Sequence, residues 1–497
     1  MLVATFVIIS YFVLLSILTV YAFHRYIMVY LFQKHRNDEK KQVKEFTELP
    51  TVTIQLPVYN ELYVIERLIK SICQIEYPRE KLHIQILDDS TDETIYLAER
   101  ITKEARQEGY DIEYLHRRNR EGFKAGALQA GMETAKGEFI AIFDADFIPP
   151  NDFLIKTIHS FTDPQVAVVQ SRWGHINSDY SLLTEIQALM LDGHFVVEHI
   201  ARNRSGRFLN FNGTGGMWRK QAIIDSGGWQ SNTLTEDLDL SYRAQMRGWK
   251  FVYLPDIVSD AELPVDMDAF KRQQYRWTKG AIQTGRKLLF TLLKSKLPWW
   301  IKVEGFFHLT NNVSYFLMLL LSILMFPSMI FRFNLGWYDM MYFDLPIFCL
   351  ATFSIGAFYI FSAKEIYPDW KKKIKYIPCL MALGYGLCVS NGKAVAEAMT
   401  NVPSEFVRTP KYMIEKENKK LMPKGYRSKK GFTAWWEILF GMYYAYAIYF
   451  CIDYDLIAAV PFLALFAFGF WYVGLYTLWQ NRDQWLNVRV KTAFQNT

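Results

Sequence analysis

Apolar and charged residues are sorted into separate stretches of this chain, and that sorting limits its fold more than any other feature. Of 497 residues 51% are hydrophobic, yet 21% are charged. Residues 1–24, 306–331, 345–363 and 456–481 contain no Asp, Glu, Lys or Arg, and 432–452 contains only Glu437. A helix needs about 20 apolar residues to cross a bilayer. Five such stretches in one chain are more than the core of a soluble protein supplies. The expectation is an N-terminal transmembrane anchor at 1–33, a basic linker at 34–50, a C-terminal transmembrane region at 305–481 and a cytoplasmic tail at 482–497. The first stretch lacks the charged start and small-residue cleavage site of a signal peptide, so it reads as a retained anchor.

Basic residues cluster beside the apolar stretches: Lys34, Arg36, Lys40, Lys41 and Lys44, then Lys371, Lys372, Lys373 and Lys375, then residues 408–430. The positive-inside rule puts all three clusters on the cytoplasmic face. Because they flank apolar spans, they argue for a lipid bilayer and against nucleic acid as the partner. The uncharged segment within 376–400 has basic groups on both sides and reads as interfacial or re-entrant. The five cysteines have no metal-ligand spacing and suggest no disulfide framework. The expected setting is a multi-pass protein, in a bacterial inner membrane, with its catalytic domain in the cytoplasm.

Between 51 and 262 the pattern changes. Strands are expected at 51–57, 82–87, 112–115 and 139–143, and helices at 62–73, 91–108 and 124–134. This alternation implies βαβ units and a mostly parallel α/β sheet. Ligands bind such sheets at the carboxyl ends of the strands, which is where Tyr59, Glu61, Asp88, Asp89, Asp144 and Asp146 fall.

Asp144 and Asp146 are two residues apart in extended chain, so both carboxylates face one way. Such a pair suits Mg2+ or Mn2+ shared with substrate phosphates. Asp88 either meets a nucleobase N–H or supports the metal; the same residues equally make an Asx turn, with Asp89, Ser90 or Asp92 capping the next helix. Thr235, Glu236 and Asp237 precede a short helical run. Asp237 there can take a proton from a sugar hydroxyl, or Thr235 can simply cap the helix. Residues 268–294 read as a basic amphipathic helix on which Gln273, Arg276 and Trp277 share a face. Arg276 suits phosphate, Trp277 suits the face of a pyranose ring, and Gln273 suits sugar hydroxyls or pyrophosphate; an interfacial Trp with a snorkelling Arg is the other reading. Lys124 is a second phosphate contact or a surface lysine. The turn at 212–216, with Gly213 and Thr214, is flexible enough to approach a ligand closely.

The motif order Asp88, Asp144-Ala-Asp146, Thr235-Glu-Asp237 and QQYRW (273–277) resembles the inverting glycosyltransferases of family 2. VVQSRWGHIN (168–177), NGTGGMWR (212–219), TEDLDLSYRA (235–244), GWKFVYLPD (248–256) and ELP (262–264) narrow the resemblance to the cellulose synthase-like group that includes plant glucomannan mannosyltransferases. The resemblance implies a GT-A fold over 51–262, with interfacial amphipathic helices at 263–304. It implies that a nucleotide-sugar donor, GDP-mannose or UDP-glucose, extends a β-linked polysaccharide; the alternative is a single addition to a lipid acceptor. Tyr59, Glu61, Asp88 and Asp89 would border the nucleotide, with Lys124, Gln273 and Arg276 on the same donor. Asp144 and Asp146 would handle metal and diphosphate, and Asp237 would be the base. Trp277, Glu236, Gly213 and Thr214 would meet the acceptor. Residues 406–411 resemble the FxVTxK gating loop of bacterial cellulose synthases, with Arg408 in place of valine, inside an expected loop at 401–430.

Overall fold

A computed structural model of the chain describes residues 1–38, 44–337, 339–404, 407–414 and 433–482. Its centre is one seven-stranded sheet in the order β3-β2-β1-β4-β6-β5-β7. The strands are β1 Val52–Val58, β2 Leu82–Asp88, β3 Ile112–His116, β4 Phe139–Ile142, β5 Val166–His175, β6 Gly216–Arg219 and β7 Lys250–Ala261. β1 is parallel to β2 and β4, β2 to β3, and β5 to β7, while β6 alone is antiparallel to its neighbours β4 and β5. Six of the seven strands therefore point the same way, and their carboxyl ends share one edge. The fold is the expected mostly parallel α/β sheet.

β2 and β4 are buried along their whole length, as apolar runs covered on both faces require. On one face Ile54, Leu56 and Phe143 pack with Leu68, Ile101 and Leu154; on the other Ile140 and Trp218 pack with Leu128 and Leu240. β1 to β4 and the helices Ile65–Cys73, Thr94–Gln107 and Phe123–Thr134 follow the expected pattern. β5, β6 and β7 coincide instead with the motif segments at 168–177, 212–219 and 248–256.

Among the described residues four helices are long and apolar enough to cross a membrane: Leu2–His35, Val313–Asn334, Phe343–Ile366 and Ile457–Gln480. The fifth expected stretch also folds as a helix, Thr433–Asp453, but it is not one of these four. Tyr443, Tyr444, Tyr446 and Tyr449 dilute its apolar character. It runs antiparallel to the last helix, with the Phe440 and Phe470 rings 5.1 Å apart and those of Tyr444 and Phe466 4.9 Å apart. The segment at 376–400 forms two short helices, Ile377–Gly386 and Cys388–Met399, each under the about 20 residues of a span. Glycine is needed at the joint, because a Cβ on Gly386 would lie 2.3 Å from the Gly469 carbonyl.

The Leu2–His35 helix also touches the α/β half, where Met28, Val29 and Phe32 pack on Phe195, Val197 and Ile200. Residues 39–43 of the expected linker at 34–50 and 483–497 of the expected tail lie outside the described residues.

Candidate active site

A cavity lies along the carboxyl edge of the sheet. At the β1 and β2 end its wall is Tyr59, Glu61, Asp89 and Arg120. The Arg120 guanidinium lies 3.4 Å from the Tyr59 ring centroid, making one flat stacked surface. Asp88 is not part of the wall. It is fully buried, its Oδ1 accepts from the Ser90 N–H (2.8 Å) and its Oδ2 from the Tyr114 hydroxyl (2.7 Å). This is the Asx-turn arrangement, which places Asp88, expected at the nucleotide, behind the wall where it shapes the turn. Asp89 reaches the cavity instead, gripped by Arg117 through bonds of 2.7 and 2.6 Å. The helix after this turn is started by Asp92, whose Oδ1 accepts from the Thr94 N–H at 3.0 Å.

Past β4, Asp144 and Asp146 both line the cavity. Lys124 Nζ lies 2.5 Å from Asp144 Oδ1 and 3.0 Å from the Gly213 carbonyl. Thr214 is buried behind this wall, and its hydroxyl accepts from the Asp144 N–H at 2.9 Å. Thr214, expected at the acceptor, is thus placed where it fixes Asp144. Gly213 does line the cavity, at φ +82°, and a Cβ there would come within 3.0 Å of Asp237 Oδ2.

Asp237 stands in the first turn of the Glu236–Met246 helix, with Oδ1 accepting from the Leu238 N–H at 2.8 Å. Thr235 makes no side-chain cap; its hydroxyl pairs with that of Thr284 at 3.2 Å. Burial, then the adjacent Glu236 charge, pushes the Asp237 carboxyl up to about 7, against the Leu238 N–H, Lys124 and Arg276. Burial likewise raises Glu236, with Lys124 opposing. Burial works against the Lys124 ammonium, but Asp144, Glu236 and Asp237 outweigh it and hold the pKa above its usual value.

The Met267–Lys294 helix supplies the opposite wall, starting from Asp266, whose Oδ1 accepts from the Ala269 N–H at 2.7 Å. Gln273, Arg276 and Trp277 face the cavity, as their spacing predicts. Arg276 feels the charges of Glu236, Asp144, Asp237 and Asp146, while burial lowers its pKa. The other faces grip downstream helices: Lys271 Nζ sits 2.6 and 2.9 Å from the two Glu437 oxygens, and Lys279 Nζ and the Tyr275 hydroxyl bond Glu397.

Residues from the gating-like loop complete the site. Arg408 pairs with Glu61 at 3.0 Å, and Lys411 with Asp146 at 2.6 Å. Burial pushes the Glu61 carboxyl up to about 8 against the pull of Arg408. Glu262 holds the loop, accepting from the N–H groups of Tyr412 (2.8 Å) and Met413 (3.0 Å). Residues 405–406 and 415–430 of the expected loop at 401–430 lie outside the described residues. Arg408, Lys411, Glu262, Trp173 and His175 have no individual signal in the sequence beyond the motifs that contain them, and Arg120 lies in none of those motifs.

The residues fit a hard divalent cation. Asp144 and Asp146 offer carboxylate oxygen alone, and each already holds a cation, an ammonium, on one oxygen. Among the described residues no group of three His, Cys, Asp or Glu forms a closed metal site. An ion here would complete its shell with water and substrate phosphate, as Mg2+ commonly does.

A family model described as "Glycosyltransferase like family 2" matches residues 50–280. Probable glucomannan 4-beta-mannosyltransferase 7 of Oryza sativa subsp. japonica is 44% identical over 264 residues, which are 52% of this chain and 45% of that protein. Glucomannan 4-beta-mannosyltransferase 2 of Arabidopsis thaliana is 41% identical over 280 residues, 55% of this chain and 52% of that protein. The chain thus spans about half the length of the curated relatives it matches. Among solved structures, mannosyltransferase PcManGT from Pyrobaculum calidifontis in complex with GDP-Man and Mn2+ aligns with a TM-score of 0.53 and 18% identity, over 80% of this chain and 100% of that one. That likeness is one of fold.

Proposed function

We propose that this chain, whose residues 50–280 match the glycosyltransferase-2-like family model, is a membrane-bound inverting hexosyltransferase that moves mannose from GDP-mannose onto a growing β-linked polysaccharide. The observation that carries the reading is the buried Asp237, its carboxyl raised to about 7, on one cavity with Asp144, Asp146, Arg276 and Trp277. The names of the plant relatives favour mannose over glucose. The catalytic half, 51–262, then faces the cytoplasm, with 263–304 at the interface and the apolar helices in the bilayer. The relatives compared are plant proteins and lend no support to the bacterial setting expected from the sequence.

The chemistry is a single in-line displacement. The acceptor hydroxyl gives its proton to an Asp237 oxygen as its own oxygen bonds C1 of the donor sugar. The C1–O bond to the diphosphate breaks in the same step, so an α-linked donor gives a β-glycoside. Arg276 and Lys124 place positive charge beside the departing diphosphate. Asp144 and Asp146 would hold a divalent cation, which when bound supplies further charge neutralisation for the leaving group. Tyr59 and Arg120 border the nucleotide, and Trp277 offers its face to the terminal acceptor sugar.

Purified full-length protein in lipid nanodiscs, given a panel of labelled nucleotide sugars, is expected to release GDP from GDP-mannose and to form a β-linked product. Turnover of UDP-glucose alone, or an α-linked product, would overturn the assignment. A second expectation concerns pH. The base works only when deprotonated, and a raised pKa keeps Asp237 protonated below about 7, so kcat/KM rises as pH increases through about 7. A flat profile between about pH 5.5 and 8.5 would remove Asp237 from the role of base.

A further inference from the structure

The β5 end of the cavity carries two side chains that the displacement does not use, Trp173 and His175. Alternate residues of a strand share a face. Gly174 between them is turned away, against Asp260, where a Cβ would meet a carboxylate oxygen at 1.9 Å. His175 is held in place. Its Nε2 lies 3.2 Å from Asp192 Oδ1, and the Tyr367 hydroxyl donates to Asp192 Oδ2 at 2.5 Å. A carboxylate only accepts, so in the neutral ring Nε2 carries the proton and Nδ1 is left as an acceptor. Trp173 is fixed as well, its indole N–H donating to the Thr214 carbonyl at 3.3 Å and its ring set against Phe147 and Phe195. The sheet order separates this wall from the nucleotide end. From β1, which leads into Tyr59, to β5 is three strand spacings, about 14 Å, with Asp144 and Asp146, just past β4, between them.

We propose that Trp173 and His175 form an acceptor subsite for a neutral pyranose behind the growing end of the chain. His175 Nδ1 accepts from a sugar hydroxyl, Trp173 provides an apolar wall for the ring, and Asp192 and Tyr367 are positioning residues for the imidazole. The inference rests on the reading of this protein as a polysaccharide-extending transferase. It implies that a longer saccharide acceptor binds better than a single sugar.

The test uses full-length protein in nanodiscs with GDP-mannose and β-1,4-linked manno-oligosaccharides of increasing length. His175→Ala is expected to raise the acceptor KM about tenfold, the size of one lost hydrogen bond, and to flatten the preference for longer acceptors, with donor KM and kcat unchanged. His175→Gln, which can still accept, recovers part of the loss, and Tyr367→Phe gives a smaller rise. These two milder variants decide the matter if the alanine protein does not fold. An unchanged acceptor KM, or an equal rise in donor KM, would overturn the subsite. Calorimetric titration of the same oligosaccharides without donor separates the two readings. Wild-type binding that His175→Ala weakens, without any transfer, sinks the proposed reaction and keeps the subsite; transfer insensitive to His175 does the reverse. Neither binding nor transfer sinks both.

Discussion

Asp237→Asn lowers transfer by about 10²–10⁴-fold, the usual contribution of a positioned general base, while donor binding persists. The substitution keeps the shape of the side chain and its bond from the Leu238 N–H. It removes the one property the step needs, an oxygen able to take a proton. The surroundings also tolerate the change. Asp237 is raised by burial and by Glu236, so losing its charge relieves repulsion between neighbours. Asp144 keeps Lys124, and Asp146 keeps Lys411, so the donor end of the cavity is undisturbed. Single-turnover transfer together with a nucleotide-sugar titration checks both halves. Turnover within a few-fold of wild type would rule out Asp237 as the base, and loss of donor affinity would show a binding role instead.

Lys271→Met destabilises the protein by about 3–5 kcal/mol, because it leaves a buried carboxylate without its partner. The side chains of Lys271 and Glu437 are 6% and 0% exposed, so water cannot replace the lost contact. Lys271→Met combined with Glu437→Leu recovers most of the loss, since an apolar pair of similar volume is often neutral or better at a buried ion-pair site. Thermal unfolding in matched nanodiscs measures both variants. Equal melting temperatures for wild type and the single mutant would mean that the pair does not hold the two helices together.

The sequence is informative where burial is simple and silent where polar groups enter the core. β1, β2 and β4 are legible because their mostly apolar runs are covered on both faces. β5 and β7 are harder to read because Gln170, Ser171 and Ser259 sit inside the sheet. Gln170 donates to the Thr214 and Gly215 carbonyls, Ser171 to Gly215, and the two serine hydroxyls pair at 3.0 Å. Each polar side chain is satisfied by a segment distant in sequence that local pattern cannot reveal.

The site follows the same rule. Asp144, Asp146, Asp237, Gln273, Arg276 and Trp277 announce themselves by spacing, and the structure brings them to one cavity. The choice between Asp88 and Asp89 turns on one residue at the end of a strand, where successive side chains point to opposite sides. Lys411 meets Asp146 across a separation of 265 residues, a pairing that neither segment encodes alone.

The Met267–Lys294 helix serves two environments at once. Arg276 and Trp277 on one side face the cavity, while Lys271, Tyr275 and Lys279 on the others are clamped to Glu437 and Glu397. A tilt of those downstream helices would therefore tilt the cavity wall with them, so bilayer thickness and cavity shape are mechanically linked through one rigid rod.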